Sequence, residues 1–188
     1  MRQDLEGLIT NMKLRNVTLI LGFLLVGCLE KDISEEKMKT VPYVDIKKFM
    51  GDWYVIANIP TFLEKNATNA IESYRLNSKN EIETTFSFYK NSPDGEKKEY
   101  YPKGFIVNSE TNAEWKMQFL WPFKMTSLII DLADDYSHTV IGVPNRKYVW
   151  IMARKPTISD DLYKDILNKL KISGYDVSKI KKLVQSWD

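Results

Sequence analysis

The side chains that most often act as nucleophiles or metal ligands are scarce: one cysteine, Cys28, and one histidine, His138, occur in 188 residues. A single cysteine excludes an intramolecular disulfide, and the two counts together exclude a zinc site of cysteine and histidine. No Gly-x-Ser-x-Gly turn is present, and a Ser-His-Asp triad would have to use His138, which follows Tyr136-Ser137 in a turn. The residues therefore predict no metal site, no cofactor and no catalytic residue.

The surroundings of Cys28 are typical of a targeting segment. Lys13 and Arg15 precede an apolar run at 17–26, which is too short to cross ~30 Å of hydrocarbon as a helix. A basic stretch followed by a short apolar run predicts a secretory signal peptide. Residues 25–28 also resemble the bacterial lipoprotein cleavage box, in which the signal is removed before a cysteine that becomes lipidated. The alternative is a buried strand with an incidental cysteine.

These features divide the chain into three parts. Residues 1–27 are predicted to be a lipoprotein signal peptide, 28–41 a lipidated Cys28 with a charged, flexible tether, and 42–188 the folded domain. Met12 would also open a compact signal, so a start at Met1 or at Met12 is left open. Leu29 after the cysteine, in place of an aspartate, favours attachment to the outer membrane, facing the periplasm.

Composition narrows the class of protein further. Lys and Arg number 27 against 25 Asp and Glu, and 44% of residues are hydrophobic. A net charge of +2 excludes a strongly basic nucleic-acid binder, and the apolar fraction predicts a folded domain. The length suits one domain.

The folded part alternates apolar and polar residues in eight short runs separated by turn residues. The runs are 53–60, 70–76, 82–89, 100–107, 113–121, 127–132, 139–143 and 147–154. This spacing predicts an all-β antiparallel sandwich or closed barrel. One helix follows, because Ser159 is a good N-cap, the next residues carry an apolar stripe at 3.6 spacing, and Gly174 is a plausible stop.

Three motifs point to one family. Gly51-Asp52-Trp53-Tyr54-Val55-Ile56-Ala57 resembles the Gly-x-Trp-Tyr-x-Ile-Ala signature of the lipocalins. Asp134-Asp135-Tyr136 resembles the family's Asp-x-x-Tyr turn, although Ala133 stands where its first Asp is usual. Residues 148–154 resemble the last long strand, which ends in the family's arginine, here Arg154, and residues 156–179 are similar to bacterial outer-membrane lipocalins in particular.

The resemblance implies an eight-stranded antiparallel up-and-down barrel with one C-terminal α-helix packed outside. One end is closed and the other opens into an apolar cup. It also implies that Gly51, Trp53 and Arg154 form a structural motif at the closed end, with the guanidinium over the indole. A catalytic arginine is the alternative.

Strand parity, anchored on Trp53 and Arg154, predicts which side chains face the cup. The predicted cavity residues are Val55, Ala57, Glu72, Tyr74, Phe86, Phe88, Trp115, Met117, Asp131, Tyr148, Trp150 and Met152, and the same parity adds Ile59 and Phe119. An interior rich in aromatic and Met side chains suits a long, flexible apolar ligand. Alternatively, these side chains simply fill the barrel.

The resemblance therefore implies a membrane-anchored lipid-binding protein. It would store or transport fatty acids such as palmitate, or lysophospholipids, in the cell envelope and serve membrane maintenance or stress. A lipid-modifying enzyme and a tetrapyrrole carrier are the alternatives on the same barrel, and a homodimer is left open. The expected partners are the lipid ligand and the membrane, and not nucleic acid.

Two acidic residues depart from the family pattern. Glu72 and Asp131 both replace small residues at positions that parity turns inward. A carboxylate in an apolar cup is unfavourable unless it is solvated, paired or protonated. Three interpretations follow: both lie at the wet mouth, both pair with a Lys or Arg inside, or both meet a cationic lipid headgroup.

Overall fold

The strands follow the alternation of apolar and polar residues closely. The computed structural model describes residues 37–187. The strands are β1 (Gly51–Ile59), β2 (Ala67–Leu76), β3 (Ile82–Lys90), β4 (Glu96–Tyr100), β5 (Lys103–Ile106), β6 (Glu114–Leu120), β7 (Phe123–Leu132), β8 (His138–Gly142), β9 (Val149–Ala153) and β10 (Lys181–Lys182). The helices are α1 (Ile46–Phe49) and α2 (Asp160–Ile172), with a 3₁₀ turn at Val177–Lys179.

The sheet closes on itself. Neighbouring strands in the order β1-β2-β3-β5-β6-β7-β8-β9 pair antiparallel, and β1 also pairs with β9. β4 and β5 both pair with β3, on either side of a break at 101–102. Together they occupy one strand position of the barrel wall, and each such position is called a stave below. The residues described thus form an eight-stave antiparallel barrel with one long helix outside it, which confirms the predicted fold class.

Because the strands alternate in direction, their connections gather at two ends. Loops 60–66, 91–95, 121–122 and 143–148 lie at the open end, where β1 finishes. Loops 77–81, 107–113 and 133–137 lie at the closed end, where β1 starts. The two sets of loops define the mouth and the base of the barrel.

Helix α1 fills the closed end. The Asp45 carboxylate caps it by accepting hydrogen bonds from the backbone N–H groups of Lys47 and Lys48. The buried Phe49 ring then packs 5.0 Å from the ring of Trp53 and 5.3 Å from that of Trp115. Sequence analysis did not predict this helix, because four residues are too few to show a helical period.

Helix α2 covers the outer face of the barrel. Ser159 caps its first turn, and Ile166 and Leu170 are buried against outward-facing side chains that include Ile151 of β9. Gly174 has a φ of +85°, a left-handed conformation that favours glycine just beyond a helix. The predicted helix, with its cap and its stop, is confirmed.

The ordered domain begins earlier than Pro42, so the predicted tether boundary needs correction. Met38 is buried, its sulfur lies 3.8 Å from the Tyr175 hydroxyl, and the Val41 N–H donates to the carbonyl of Ile129. The charge of the surrounding segment concealed these two apolar anchors. The predicted signal peptide and the lipidation site Cys28 lie outside the described residues. Within residues 37–187, no helix has the length and apolar character needed to span a bilayer.

Candidate functional site: an apolar cup with two carboxyl groups

Two β-bulges decide which side chains enter the cup. The register of β1 shifts between Val55 and Ala57, and that of β7 shifts between Ile129 and Asp131. A bulge places two residues of one strand opposite a single partner residue, so the alternation of faces changes phase there. Val55 and Ile129 belong to the inner core, whereas Ala57 lies in the outer cluster beneath α2. The inward placement predicted for Ala57 is therefore wrong, and that of Ile59 fails for the same reason.

The inward placement of Asp131 is wrong as well. Its carboxylate lies on the outer face, 3.5 Å from the Lys169 Nζ of α2 and 3.7 Å from the His138 Nε2. His138 is therefore half-buried on the outer side of the barrel, in strand β8 and not in a turn, and it does not face the cup. A tetrapyrrole held in the cup could not use His138 as its iron ligand.

The closed end is held by the three residues of the structural motif. The Arg154 guanidinium lies 3.7 Å from the centre of the Trp53 ring and donates hydrogen bonds to the carbonyl oxygens of Lys48, Phe49, Met50 and Asp52. The Trp53 Nε1 donates to the Phe49 carbonyl at 2.9 Å. Gly51 has a φ of +96°, and a Cβ there would lie 3.4 Å from the Arg154 Nη1. The hydrogen bonds from the two terminal nitrogens of Arg154 thus stabilise the base, which gives this arginine a structural role.

The cup opens above this base. Its side chains leave a cavity of about 30 Å³, so they fill much of the barrel interior in this structure. The lining side chains are mostly aromatic or sulfur-containing: Glu72, Tyr74, Trp115, Met117, Phe119, Met125, Ser127, Ile141 and Trp150. The chemistry of this wall suits a flexible apolar molecule.

Apart from Ala57 and Asp131, the predicted cavity residues separate into three groups. Glu72, Tyr74, Trp115, Met117 and Trp150 line the cup. Four others, Val55, Phe86, Phe88 and Met152, are packed in the inner core, and Tyr148 is half-buried against it. Sequence analysis missed Met125, Ser127 and Ile141, although the first two share the parity of Ile129 on β7 and alternation along β8 could have indicated the third.

Glu72 is a half-buried carboxyl group on the wall of the cup. It lies away from the mouth, opposite Trp53 on β1 and Phe86 on β3, and accepts a hydrogen bond from the Tyr74 hydroxyl. Desolvation raises the pKa of Glu72 to about 7, although the Tyr74 hydrogen bond lowers it, and the charge of Glu64 raises it further. Desolvation also raises the pKa of Tyr74, with the charge of Glu72 as a second cause. The interpretation that places Glu72 at the wet mouth is therefore wrong.

A second carboxylate, Glu64, was not predicted. The open-end loop 60–66 folds inward, so that Glu64 is buried. Its Oε1 accepts hydrogen bonds from the Trp150 Nε1 at 2.6 Å and the Asn58 Nδ2 at 3.2 Å, and its Oε2 accepts one from the Thr61 N–H at 2.8 Å. These three donors stabilise a charge near the mouth of the cup. No local sequence pattern indicates that a loop glutamate turns inward.

Fold and site together define a β-barrel with an apolar cup that is open at one end. Residues 44–185 match the Lipocalin-like domain, and the chain belongs to the lipocalin family.

Relatives agree with this assignment over most of the chain. The chain is 30% identical over 159 residues to the outer membrane lipoprotein Blc of Escherichia coli, covering 84% of this chain and 88% of that protein. It is 27% identical over 169 residues to the outer membrane lipoprotein Blc of Vibrio cholerae, covering 89% and 96%. Among solved structures, insecticyanin from the tobacco hornworm Manduca sexta has a TM-score of 0.63 at 20% identity, covering 79% of this chain and 85% of that one. This last likeness concerns the fold alone.

Proposed function

We propose that this protein binds a lipid with a single long acyl chain, either a fatty acid or a lysophospholipid. It stores or transports that lipid in the cell envelope and contributes to membrane maintenance under stress. The observation that carries the proposal is the cup itself: one open end, a sealed base and a wall of aromatic and Met side chains. An acyl chain buried there gains about 0.8 kcal/mol for each CH₂ group removed from water.

The polar groups of the cup bear on which headgroup it accepts. Glu64 and Glu72 are both acidic, and the carboxylate of a fatty acid beside them would meet like charge. A headgroup with a protonated amine, as in lysophosphatidylethanolamine, would meet opposite charge. The two carboxylates that would meet a cationic headgroup are therefore Glu64 and Glu72, and not Glu72 and Asp131.

The test is native mass spectrometry of the full chain. The protein is extracted from the cells that produce it, and the extraction medium is removed from it in the gas phase of the spectrometer. A retained mass that matches a lysophospholipid or fatty acid supports the proposal. Incubation with the same lipid then separates binding from catalysis, because a binding protein returns the lipid unchanged and an enzyme returns new products. A chain that retains no lipid and takes up none from vesicles would contradict the proposal.

Attachment to the outer membrane is proposed through a lipidated Cys28. Its support is the cleavage-box resemblance together with the relatives named as outer membrane lipoproteins. The wild-type protein should fractionate with membranes and carry a diacylated N-terminal cysteine by mass spectrometry. The Cys28→Ser protein should be unprocessed or released. A wild-type chain that keeps residues 12–27 and stays in the soluble fraction would contradict this assignment.

A further inference from the structure

Four large apolar side chains at the open end of the barrel are exposed to solvent. The exposed fractions are 86% for Phe62, 82% for Trp121, 73% for Phe123 and 71% for Leu120. These four residues are called the mouth rim below. Single exposed apolar residues are ordinary, but a group of them around a cavity entrance marks a surface that meets an apolar partner.

The topology sets the two parts of the mouth rim on opposite sides of the entrance. Phe62 lies in the loop between β1 and β2, and the other three residues lie at the turn between β6 and β7. In the order of the eight staves these loops are four steps apart, which is half of the ring. A flat surface laid across the mouth would therefore touch both sides at once.

Charge is distributed unevenly between the two ends. The open-end loops contain three basic residues, Lys65, Arg146 and Lys147, and a single exposed acidic residue, Asp94. The closed-end loops contain four acidic residues (Glu81, Glu110, Asp134 and Asp135) and one basic residue, Lys79. At the strand ends, Lys90 and Lys124 add exposed positive charge to the mouth, and Glu96, opposite Lys90, adds one negative charge. Helix α1 adds the exposed Lys47 and Lys48 to the closed end, so the charges there nearly cancel. The open end keeps an excess of positive charge, which an anionic surface would attract.

The chain enters the domain from the same end. Met38 lies beside Gly142, at the open end of β8, whereas the Val44 N–H donates to the carbonyl of Thr111 in a closed-end loop. The segment between them therefore runs down the outer wall from the mouth towards the base. Cys28 precedes Lys37 by nine residues, which reach at most about 30 Å when extended.

We propose that the mouth rim inserts into the interface of an anionic phospholipid bilayer, with the cup opening directly against the membrane. Trp and Phe side chains partition into this interface, and the flanking lysines contact the headgroups. Lipid then passes between bilayer and cup without crossing water. The role of this contact in lipid exchange rests on the proposed function. The contact itself can be measured without any lipid bound in the cup.

Tryptophan quenching by brominated lipids measures the contact. The full chain is reconstituted into vesicles of phosphatidylcholine and phosphatidylglycerol, with and without phosphatidylcholine brominated on its acyl chains. Quenching should be largely lost in Trp121→Phe. It should be retained in the matched control Trp187→Phe, because Trp187 is also exposed, at 42%, but packs on Tyr54 of the outer wall. Equal quenching of both variants, or none in the wild type, would overturn the proposal, as would crosslinking of the mouth rims of two copies.

Lipid transfer separates this proposal from the proposed function. In the variant Phe62→Ser/Trp121→Ser/Phe123→Ser, transfer of a fluorescent lysophospholipid from vesicles to the protein should be about tenfold slower, with the amount bound at equilibrium unchanged. A wild-type rate in this variant overturns the role of the rim. If the wild type binds no lipid but its Trp121 is still quenched, the proposed function fails and the membrane contact stands.

Discussion

The two ends of the barrel use aromatic side chains in opposite ways. At the closed end, Phe49, Trp53 and Trp115 are fully buried, and Arg154 seals the layer with hydrogen bonds to four carbonyl groups. At the open end, Phe62 and Trp121 are almost fully exposed. The first set stabilises the fold, whereas the second contributes little to stability and is free to serve contact with a partner. Position in the barrel, not residue type, decides between the two roles.

The largest expected effect tests this contrast directly. Trp53→Ala should lower the free energy of unfolding by about 3–5 kcal/mol, since it removes a large buried side chain and its partner contacts. Trp121→Ala, the matched change at the mouth, should alter it by less than about 0.5 kcal/mol. Urea unfolding of both variants measures the difference. Similar losses at the two positions would show that the mouth rim is part of the core.

The second effect concerns pH and lies between the two ends. The native pKa of Glu72 is about 7, above its unfolded value of 4.5, so the folded state retains a proton that the unfolded state has lost. The stabilisation of the folded state by this proton is fully present below pH 4.5 and decreases as the pH rises to about 7. The total loss of stability is about 3 kcal/mol. As the pH rises from 5 to 8, the free energy of unfolding of Glu72→Gln should therefore increase relative to that of the wild type.

Its control is Glu83→Gln, because interactions with Asn77 and Arg75 lower the pKa of this exposed carboxyl instead. That variant should show no relative gain over the same pH range. Urea unfolding at the two pH values measures both variants. If the difference between Glu72→Gln and the wild type did not change with pH, Glu72 would be ionised in the folded protein already at pH 5.

Arg154 should have the third largest effect. Arg154→Lys keeps the positive charge but removes the planar group that stacks on Trp53 and reaches several carbonyl oxygens, so about 2 kcal/mol should be lost. Arg75→Lys is the control, because Arg75 pairs with Glu83 on the surface, where ion pairs contribute little. Lipid binding should fall only as far as the folded fraction does. A stable Arg154→Lys protein that no longer bound lipid would give this arginine a role in the cup.

The barrel and its helix could be predicted from the sequence because their signals are local. Alternation marks each stave, and Ser159 and Gly174 mark the limits of α2. The bulges are different, because Val55, Ile56 and Ala57 are all apolar and fit either face of a strand. Once the phase changes there, parity places every later residue of that strand on the wrong face.

Asp131 shows the consequence for the site. A single bulge before it turns a predicted cavity carboxylate into the outer partner of Lys169. Glu64 shows the converse, because its burial beside the cup depends on the path of a loop and on donors from Asn58 and Trp150. Long-range contacts of this kind leave no periodic trace in the sequence.

The smallest expected effect sharpens the contrast between the inner and outer faces of the wall. Near pH 8 the Glu72 carboxyl is mostly ionised, so it should repel the carboxylate of a fatty acid and attract a protonated amine. Glu72→Gln should then raise palmitate affinity and lower lysophosphatidylethanolamine affinity, each by about 1 kcal/mol or roughly fivefold. Asp131→Asn makes the same change of charge on the outer face and should leave both affinities unchanged. Fluorescence titration of Trp150, which lines the cup, measures all three proteins. At pH 5 the wild-type Glu72 carboxyl is protonated, so the effect of Glu72→Gln on both affinities should disappear. An effect that persists there would not arise from the charge of Glu72.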